Sequence, residues 1–501
     1  MQAFVNTINS YIWSDALIYF ALGAGLFFSI KTKFLQVRLF REMVNLLFSG
    51  KSSAKGISTF QALTVSLSGR VGTGNIAGVA AAIGFGGPGA VFWMWIVAFL
   101  GASTSFIECT LGQIYKEEID GQYRGGPAYY IEKAMGQKWY AWTFSIAAIL
   151  AVGLLLPGVQ ANSIGNAVEL VLGGGEIIDT IMGPLSSTKI TSSIVVVTLL
   201  GFIIFGGVKR IANFTQVIVP FMAFAYIIIA LAIIGLNLNR IPEILNLILS
   251  DAFTPMAGFG AAVGWGVKRG IYSNEAGQGT APHAAAAAEV DHPAQQGLVQ
   301  AFAVYIDTLF VCSATAFMIL ITGAYNVHND EGSTPGFIIQ NLSATADANS
   351  PAFTQYALEA SLPGMGATFV AIALFFFAFT TILAYYYQAE TNIAYIRRTI
   401  KIPGDIFLLK IALLIAVFYG ANKTASVAWG LGDIGVGLMA WLNIMSIVII
   451  FFISKPAIKA LKDYETQKQL NVEKYSFDPA SLGIENAEFW DKRSKETKKT
   501  S

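Results

Sequence analysis

The sequence predicts an all-α membrane protein of about eleven transmembrane helices, built as two inverted halves of five helices with one discontinuous helix in each half. Three observations predict this fold. Of the 501 residues, 54% are hydrophobic and only 13% are charged, whereas soluble domains carry about 25% charged residues. Eleven apolar segments are long enough to cross a bilayer. Two of these segments, five helices apart, are rich in glycine.

The apolar segments define the transmembrane helices. A bilayer core about 30 Å thick requires about 20 apolar helical residues, because lipid offers no partner to an open backbone amide. The predicted spans are residues 11–31, 60–84, 88–115, 140–172, 191–207, 213–237, 256–285, 297–324, 362–388, 404–420 and 428–454. They divide the chain into a peripheral first helix with a basic loop (1–59), a first half (60–237), a second half (256–454) and a tail (455–501).

The distribution of lysine and arginine predicts the orientation of these spans. With the N-terminus outside, the loops and tail on the cytoplasmic side hold most of the 32 basic residues, and only the loop of residues 286–296 on that side has none. Because basic loops resist translocation, we expect a multi-pass protein of the cell membrane with its C-terminus in the cytoplasm. The tail is polar and mixed in charge, which predicts a partly disordered appendage.

The second span contains a cluster of glycines, which makes a regular helix less favourable there, and residues 72–75 (GTGN) mark the predicted break. Each glycine destabilises a helix by about 1 kcal/mol relative to alanine, so the cluster weakens the helix inside the membrane. The alternative is close helix packing through small residues, since Gly74 and Gly78 form a GxxxG motif.

The seventh span carries a similar cluster, which places its break around Gly264–Gly270. Because the two spans are five helices apart, they cross the membrane in opposite directions, as inverted repeats of transporters do. In such transporters, the free amides and carbonyls of the breaks bind a solute and an ion near the midplane. A zwitterionic amino acid with a co-transported sodium ion would suit this site.

Ionisable residues within the predicted spans are a second signal of function. Each costs roughly 2.5 to 3.5 kcal/mol at the centre of a membrane helix. They either pair with one another to hold the bundle together or take part in gating and ion coupling. The residues are Arg70, Glu108, Lys268, Arg269, Glu275 and Asp307. Arg70, Glu108 and Asp307 are the candidates for gating or coupling.

Three uncharged polar residues are further candidates. Thr380 and Thr381 place two adjacent hydroxyls in an apolar span, and hard oxygen ligands of this kind suit sodium. The alternative for each is a hydrogen bond to the carbonyl of the preceding turn. Gln160 follows an interruption at Pro157-Gly158 and reaches either the solute or a neighbouring helix.

Composition and motifs argue against other classes of protein. The 32 basic and 31 acidic residues give no electrostatic reason for a nucleic-acid partner. Cys109 and Cys312 both lie in apolar spans and predict no disulfide framework. None of the three histidines lies in an HExxH motif, and no GxxxxGK[ST] phosphate loop occurs, so we expect neither an enzyme nor a cofactor. A passive channel would present rings of charge or carbonyls, and the paired breaks argue against it.

Four stretches resemble segments of the alanine or glycine:cation symporter family, in the order expected for it. They are RVGTGNIAGVA (70–80), GGPGAVFWMWIVAFLG (86–101), RGIYSNEAGQGTAP (269–282) and DTLFVCSATAFMILITG (307–323). The resemblance covers residues 12–455. This family is similar to the amino acid, polyamine and organocation transporters, and the resemblance therefore implies a LeuT-type fold, in agreement with the inverted halves.

The resemblance also implies a set of site residues. Sodium would be bound by the backbone oxygens of Ser68 and Val71 and by the hydroxyls of Thr380 and Thr381. The side chain of Arg70 would point away from the site toward an inner gate. The residues implied to contact the amino acid are Gly69, Thr73, Gly74, Gln160, Gly264, Trp265 and Gly266.

The implied function is sodium-driven symport of a small neutral amino acid, alanine or glycine and also D-alanine, by alternating access. A larger neutral amino acid such as glutamine is an alternative substrate. Proton coupling through Glu108 or Asp307 is an alternative to sodium. The expected partners are the amino acid, sodium and the lipid bilayer, and no obligate protein partner is inferred.

Overall fold

In the computed structural model the chain is a helical bundle whose interior holds polar as well as apolar side chains. The structure describes residues 2–48, 52–53, 55–180, 182–206, 208–329 and 336–500. Large apolar side chains such as Phe202, Phe221 and Phe224 are exposed on the outer surface, whereas Glu108 and Asp307 are fully buried. Apolar residues outside and ionisable residues inside are the arrangement of a protein surrounded by lipid.

The helices follow one another along the chain with few strands between them. Those up to the middle of the chain are α1 (Gln2–Ile12), α2 (Asp15–Lys31), α3 (Leu35–Arg38), α4 (Phe40–Leu46), α5 (Thr59–Arg70), α6 (Ala77–Gly86), α7 (Ala90–Ile114), α8 (Pro127–Met135), α9 (Lys138–Leu150), α10 (Leu156–Leu172), α11 (Ser187–Ile204), α12 (Val208–Leu236) and α13 (Ile241–Phe253). Those after it are α14 (Phe259–Asn274), α15 (Ala281–Ala287), α16 (Pro293–Val304), α17 (Ser313–Thr322), α18 (Ala352–Ser361), α19 (Gly366–Arg397), α20 (Asp405–Ala421), α21 (Ala425–Ile453), α22 (Pro456–Gln469) and α23 (Glu488–Thr500).

Three antiparallel hairpins lie in the connections between helices. They pair β1 (Glu117–Ile119) with β2 (Gln122–Arg124), β3 (Ile177–Thr180) with β4 (Gly183–Ser186), and β5 (Asn326–Asn329) with β6 (Gly336–Gln340). Two π-helical stretches continue helices instead: Ala151–Leu155 joins α9 to α10, and Tyr305–Cys312 joins α16 to α17.

Fewer helices have the length and composition of a membrane span than the sequence predicted. Among the described residues, seven helices are long and apolar enough to cross a membrane, or eight if the bent pair α1 and α2 is one span. The predicted count of eleven is not confirmed, because α20 has only 17 residues and the two discontinuous spans consist of shorter pieces. Each predicted span nevertheless overlaps one helix or one pair of helices.

The predicted break in the second span is confirmed. Helix α5 ends at Arg70, a short 3-10 turn covers Thr73–Asn75, and α6 begins at Ala77. The seventh span is also discontinuous, but the predicted position of its break around Gly264–Gly270 is wrong. Helix α14 continues through these glycines to Asn274, and α15 begins only at Ala281.

Two glycines of α14, Gly266 and Gly270, serve packing rather than unwinding. A Cβ atom on Gly266 would lie 2.6 Å from the carbonyl oxygen of Ala90, and one on Gly270 would lie 2.3 Å from Cγ1 of Val97. Both neighbours belong to α7, so these glycines let two helices approach closely, as small residues do at helix interfaces in membranes.

The C-terminal tail differs from the expectation of a partly disordered appendage. It forms α22, a 3-10 turn at Ala480–Leu482 and α23. Tyr464 and Trp490 are both buried, and Trp490 is only 1% exposed. The tail is therefore packed against the bundle.

Candidate functional site

The first break directs its open amides at polar side chains. The backbone leaves the helical region at Val71 and Gly72. The amide of Gly72 donates to Oδ1 of Asn75 over 2.9 Å, and the amide of Thr73 donates to Oε1 of Gln160 over 3.0 Å. These bonds replace the helical ones that the break removes, because a buried amide needs a partner.

Close approach explains why glycine occupies positions 72 and 74. A Cβ on Gly72 would lie 2.5 Å from Oγ1 of Thr381 and 2.9 Å from Oε1 of Gln160. A Cβ on Gly74 would lie 3.0 Å from Cα of Ser273. The first break is thus held between α10, α14 and α19, and Gln160 and Thr381 lie beside it.

The second break is held open by Glu108 of α7. Glu275 adopts the left-handed conformation (φ 57°), as do Gly277 (φ 83°) and Gly279 (φ 82°). The carboxylate of Glu108 accepts the amides of Gly277 and Gly279, both over 3.1 Å. It also accepts a 2.6 Å bond from the side-chain amide of Asn443 in α21. Glu108 therefore substitutes for the helical carbonyls that these amides have lost.

Asp307 joins the two breaks. Its carboxylate accepts bonds from Asn75 in the first break over 2.6 Å and from Ser273 at the end of α14 over 2.9 Å. The hydroxyl of Thr308 donates a third bond over 2.7 Å. Asp307 lies in the π-helical stretch before α17, and such wide turns are frequent at functional sites.

Arg70 ends the helix before the first break and turns away from it. Its guanidinium donates to the carbonyl of Gln300 and to the hydroxyl of Ser105, each over 3.0 Å. Arg70 is 1% exposed, so it lies in the bundle between α7 and α16. The side chain of Glu275 accepts a 2.8 Å bond from Thr280 within the second break.

Three of the four predicted sodium ligands lie together. The hydroxyl of Thr381 donates to the carbonyl of Ser68 over 2.7 Å and lies 3.4 Å from the carbonyl of Val71. The hydroxyl of Thr380 donates to Phe376 and Phe377 in its own helix, and the hydroxyl of Thr381 also lies 2.9 Å from the carbonyl of Phe377. Three oxygens from two elements thus converge at the end of α5.

A cluster of charged and aromatic residues closes one end of the bundle. The guanidinium of Arg269 binds both carboxylate oxygens of Asp433, over 2.8 and 3.2 Å, and the ammonium of Lys268 lies 2.7 Å from the same carboxylate. The indoles of Trp265 and Trp429 lie 5.0 and 4.2 Å from the guanidinium. A cavity of about 640 Å³ opens above this cluster.

The predicted contacts in the seventh span do not reach the junction of the breaks. Gly264 and Trp265 line the cavity above Asp433, and Gly266 packs against α7. At about 1.5 Å per helical residue, these three residues lie about 14 to 16 Å along α14 from the start of the second break. Gly69 lies closer, since a Cβ on it would be 3.2 Å from Oε2 of Glu275.

The sequence interpretation missed three residues of this arrangement. Asn75 and Ser273 lie inside the recognised motifs but were not identified as site residues, although each donates to Asp307. Asp433 was overlooked as the partner of Lys268 and Arg269. An acidic residue inside the last apolar span was the signal that could have revealed it.

Comparison with known proteins agrees with this geometry. A model described as the sodium:alanine symporter family matches residues 1–478. The putative sodium/proton-dependent alanine carrier protein YrbD of Bacillus subtilis is 57% identical, with 98% of each chain covered. The probable sodium/glutamine symporter GlnT of the same organism is 40% identical, with 94% of this chain and 92% of GlnT covered.

A solved structure shows the fold. The crystal structure of MhsT in complex with L-phenylalanine matches with a TM-score of 0.55 and 13% identity, covering 82% of this chain and 99% of MhsT. MhsT has the LeuT fold, so this chain has the LeuT-type inverted repeat with two discontinuous helices. From the family match over most of its length and its 57% identity to a relative, the chain belongs to the sodium:alanine symporter family.

Proposed function

We propose that the protein is a sodium-coupled symporter that carries a small neutral amino acid, alanine or glycine, across the cell membrane by alternating access. The observation that carries this proposal is the junction at Asp307, where Asn75 of the first break and Ser273 beside the second meet. Open backbone groups and a buried carboxylate lie together there, as a site for a zwitterion and a cation requires.

The amides of the first break would bind the substrate carboxylate. The Thr73 amide now donates to Gln160, which would give up this bond and contact the substrate itself. Among the described residues, the buried hydroxyl of Thr73 neither donates nor accepts a hydrogen bond, so it is available to a ligand. A Cβ on Gly74 would lie 3.2 Å from the ring of Tyr272, which favours an amino acid with a small side chain.

Sodium would bind between α5 and α19. The carbonyl oxygens of Ser68 and Val71 and the hydroxyl of Thr381 already converge, and a cation would displace the hydrogen bond from Thr381 to Ser68. Thr380 would complete the set by exchanging its bonds to the preceding turn. Hard oxygen ligands of this kind fit a small hard cation.

The three intramembrane candidates take different roles in this proposal. Asp307 would couple ion and substrate, because its charge touches both breaks. Glu108 would hold the second break in shape through the amides of Gly277 and Gly279. Arg70 would tie the end of α5 to α7 and α16. The name of the YrbD relative includes the proton, and Asp307 would also be the residue that carries a coupled proton.

Two closures would alternate during transport. One is the ion cluster of Arg269 and Asp433 below the cavity, where Gly264 and Trp265 would meet the entering amino acid. The other is a backbone bridge between Ile57 and Ala288, which lie at the ends of the broken spans that are remote from the cavity. With the N-terminus outside, as the bias of lysine and arginine favours, the cavity would open to the outside and the bridge would lie on the cytoplasmic side.

Glutamine is the second candidate substrate, because the 40% identical GlnT is named as a probable sodium/glutamine symporter. The deciding experiment is uptake of labelled alanine into proteoliposomes, with glycine, D-alanine, serine and glutamine as competitors. We expect saturable uptake that is lost when choline replaces sodium, with competition by glycine and D-alanine. Strong competition by glutamine alone would indicate that glutamine is the substrate. Sodium-independent, non-saturating flux would contradict the proposal that the protein is a symporter.

A further inference from the structure

The inner ends of the two broken spans are joined by backbone hydrogen bonds. The amide of Ile57, just before α5, donates to the carbonyl of Ala287 over 3.0 Å, and the amide of Glu289 donates to the carbonyl of Ile57 over 2.8 Å. These bonds connect the start of one broken span with the end of the other. The site can open toward this side only if the two ends separate, so these bonds have to break in each transport cycle.

Residues at the end of α7 support this bridge. The ammonium of Lys116 donates to the carbonyl of Ala288 over 2.9 Å, and the side-chain amide of Gln113 donates to the same carbonyl over 3.0 Å. Lys116 is buried, and this burial holds the pKa of its ammonium well below its usual range. A buried lysine is tolerated only where other groups compensate the lost water.

The C-terminal tail supplies part of this compensation, beside the ring of Tyr123, which lies 4.4 Å from the Lys116 ammonium. The rings of Phe489 and Trp490 lie 4.6 and 5.4 Å from the Lys116 ammonium. The Trp490 indole donates a 2.8 Å bond to the carbonyl of Gln113. The guanidinium of Arg493 lies 2.7 Å from the carboxylate of Glu289, whose own amide forms the bridge. The tail thus contacts Lys116, Gln113 and Glu289, three residues that form or support the bridge.

The tail's end is attached in a way that permits release. Among residues 480–496 the buried side chains are Ile484, Ala487 and Trp490, and the indole of Trp490, 1% exposed, is the largest of them. The side chains of Arg493 and Glu488 are 33% and 65% exposed, and ion pairs with such exposure contribute little to stability. A few buried side chains and partly exposed ion pairs make a contact small enough to dissociate while the bundle stays folded.

We propose that the C-terminal tail is a latch on the inner gate: docked, it holds the bridge between Ile57 and Ala288–Glu289 closed, and its release allows the site to open to the cytoplasm. The proposal rests on the alternating access of the proposed function, because it assigns the control of one gate. It makes the tail a regulator of the transport rate. Segments and molecules that compete for Trp490 or Arg493 would increase inward opening.

The test uses hydrogen–deuterium exchange of the full chain in lipid nanodiscs. The variants are Trp490→Ala, which removes the buried indole, and Arg493→Gln, which removes the ion pair at the surface and leaves the indole. Glu465→Gln is the matched control, because it breaks the 2.7 Å ion pair of Arg38 with the same tail at a place without contact to the bridge.

We expect the amides of Ile57 and Glu289 to exchange about tenfold faster in Trp490→Ala and about threefold faster in Arg493→Gln, since exchange reports local opening. Glu465→Gln should leave these amides unchanged. If residues 488–496 exchange faster in both tail variants while Ile57 and Glu289 stay protected, the latch is overturned. This measurement needs neither substrate nor sodium, so a failed latch and a failed assignment of alanine transport are distinguishable.

Discussion

The side-chain amide of Asn75 donates a 2.6 Å hydrogen bond to the carboxylate of Asp307, and this bond ties the first break to the second. The same carboxylate accepts from Ser273 beside the second break. The three side chains that donate to it, those of Asn75, Ser273 and Thr308, are all neutral. A buried carboxylate surrounded by neutral donors is a place where a cation can be gained and lost.

Asp307→Asn should lower alanine uptake by at least about tenfold and flatten its dependence on sodium. The substitution keeps the size of the side chain and removes the charge that attracts a coupled cation. Uptake into proteoliposomes over a range of sodium concentrations measures the effect. Asp405→Asn, which loses its pairing with Arg397 at the protein surface, is the control. Unchanged sodium dependence in Asp307→Asn would remove this residue from coupling.

Thr381→Val should raise the half-saturating sodium concentration about tenfold, since the loss of one ligand oxygen corresponds to about 1.4 kcal/mol. Thr391→Val is the matched control. Thr391 lies on the same helix, is equally buried, and its hydroxyl donates to Tyr387 in the preceding turn. Equal sodium affinity in the two variants would exclude Thr381 from the ion site.

Gly72→Ala should abolish transport, because the new methyl group would lie 2.5 Å from Oγ1 of Thr381 and 2.9 Å from Oε1 of Gln160. Gly78→Ala should retain most activity. The nearest atom to its methyl group, in the ring of Trp429, would lie 3.6 Å away, an ordinary contact distance. Maximal uptake rates of the two variants at equal expression decide between them, and comparable rates would refute the close packing at the break.

Asp433→Asn should destabilise the protein by about 3 to 5 kcal/mol, because it leaves the buried guanidinium of Arg269 without a counter-charge. Lys268→Gln should cost much less, since the Lys268 side chain is 15% exposed and the pairing of Arg269 with Asp433 remains. Thermal unfolding of the two detergent-solubilised variants measures the difference. Equal losses in melting temperature would show that Arg269 finds another partner.

Acid should loosen the docking of α22 through His292. Burial lowers the pKa of His292 below its ordinary value of 6.5, although the bond to Asp463 raises it in part. The folded state therefore favours the neutral ring, so this contribution to stability is complete above about pH 6.5 and is lost as the pH falls below it. The groups that face the ring are Asp463, Tyr464 and Phe477.

The melting temperature of the wild-type protein measured between about pH 8 and pH 5.5 tests this linkage. His292→Asn keeps a residue that caps a helix and removes the titrating ring, so its melting temperature should fall less across the acid range. Identical slopes for wild type and variant would show that another group is responsible.

The sequence predicted the first break correctly because local and tertiary requirements coincide there. The glycines at 72 and 74 both weaken the helix and admit neighbouring side chains. In the seventh span the two requirements separate. Gly266 and Gly270 are present for packing against α7, and the break lies at Glu275–Thr280, where Glu108 from another helix supplies the bonds. A partner so distant in sequence leaves no local pattern.

Other features could not be predicted because they depend on contacts between residues that are far apart in the sequence. Asp433 binds Arg269, which lies 164 positions away in the sequence, and no local pattern at either residue predicts this pairing. Trp490 lies in a tail that is polar and mixed in charge, but its indole reaches Gln113 at the end of α7. The composition of the tail predicted a partly disordered appendage, because composition does not show which surface of the bundle can receive an indole.

The glycine contacts between α14 and α7 also determine which parts of the bundle can move independently. With the backbone of α14 at Gly266 and Gly270 pressed onto Ala90 and Val97, neither helix can slide past the other without a collision. The two helices therefore form one rigid body, and the bending of the seventh span is confined to the six residues from Glu275 to Thr280. A label on α7 would report the motion of α14 without touching the substrate path.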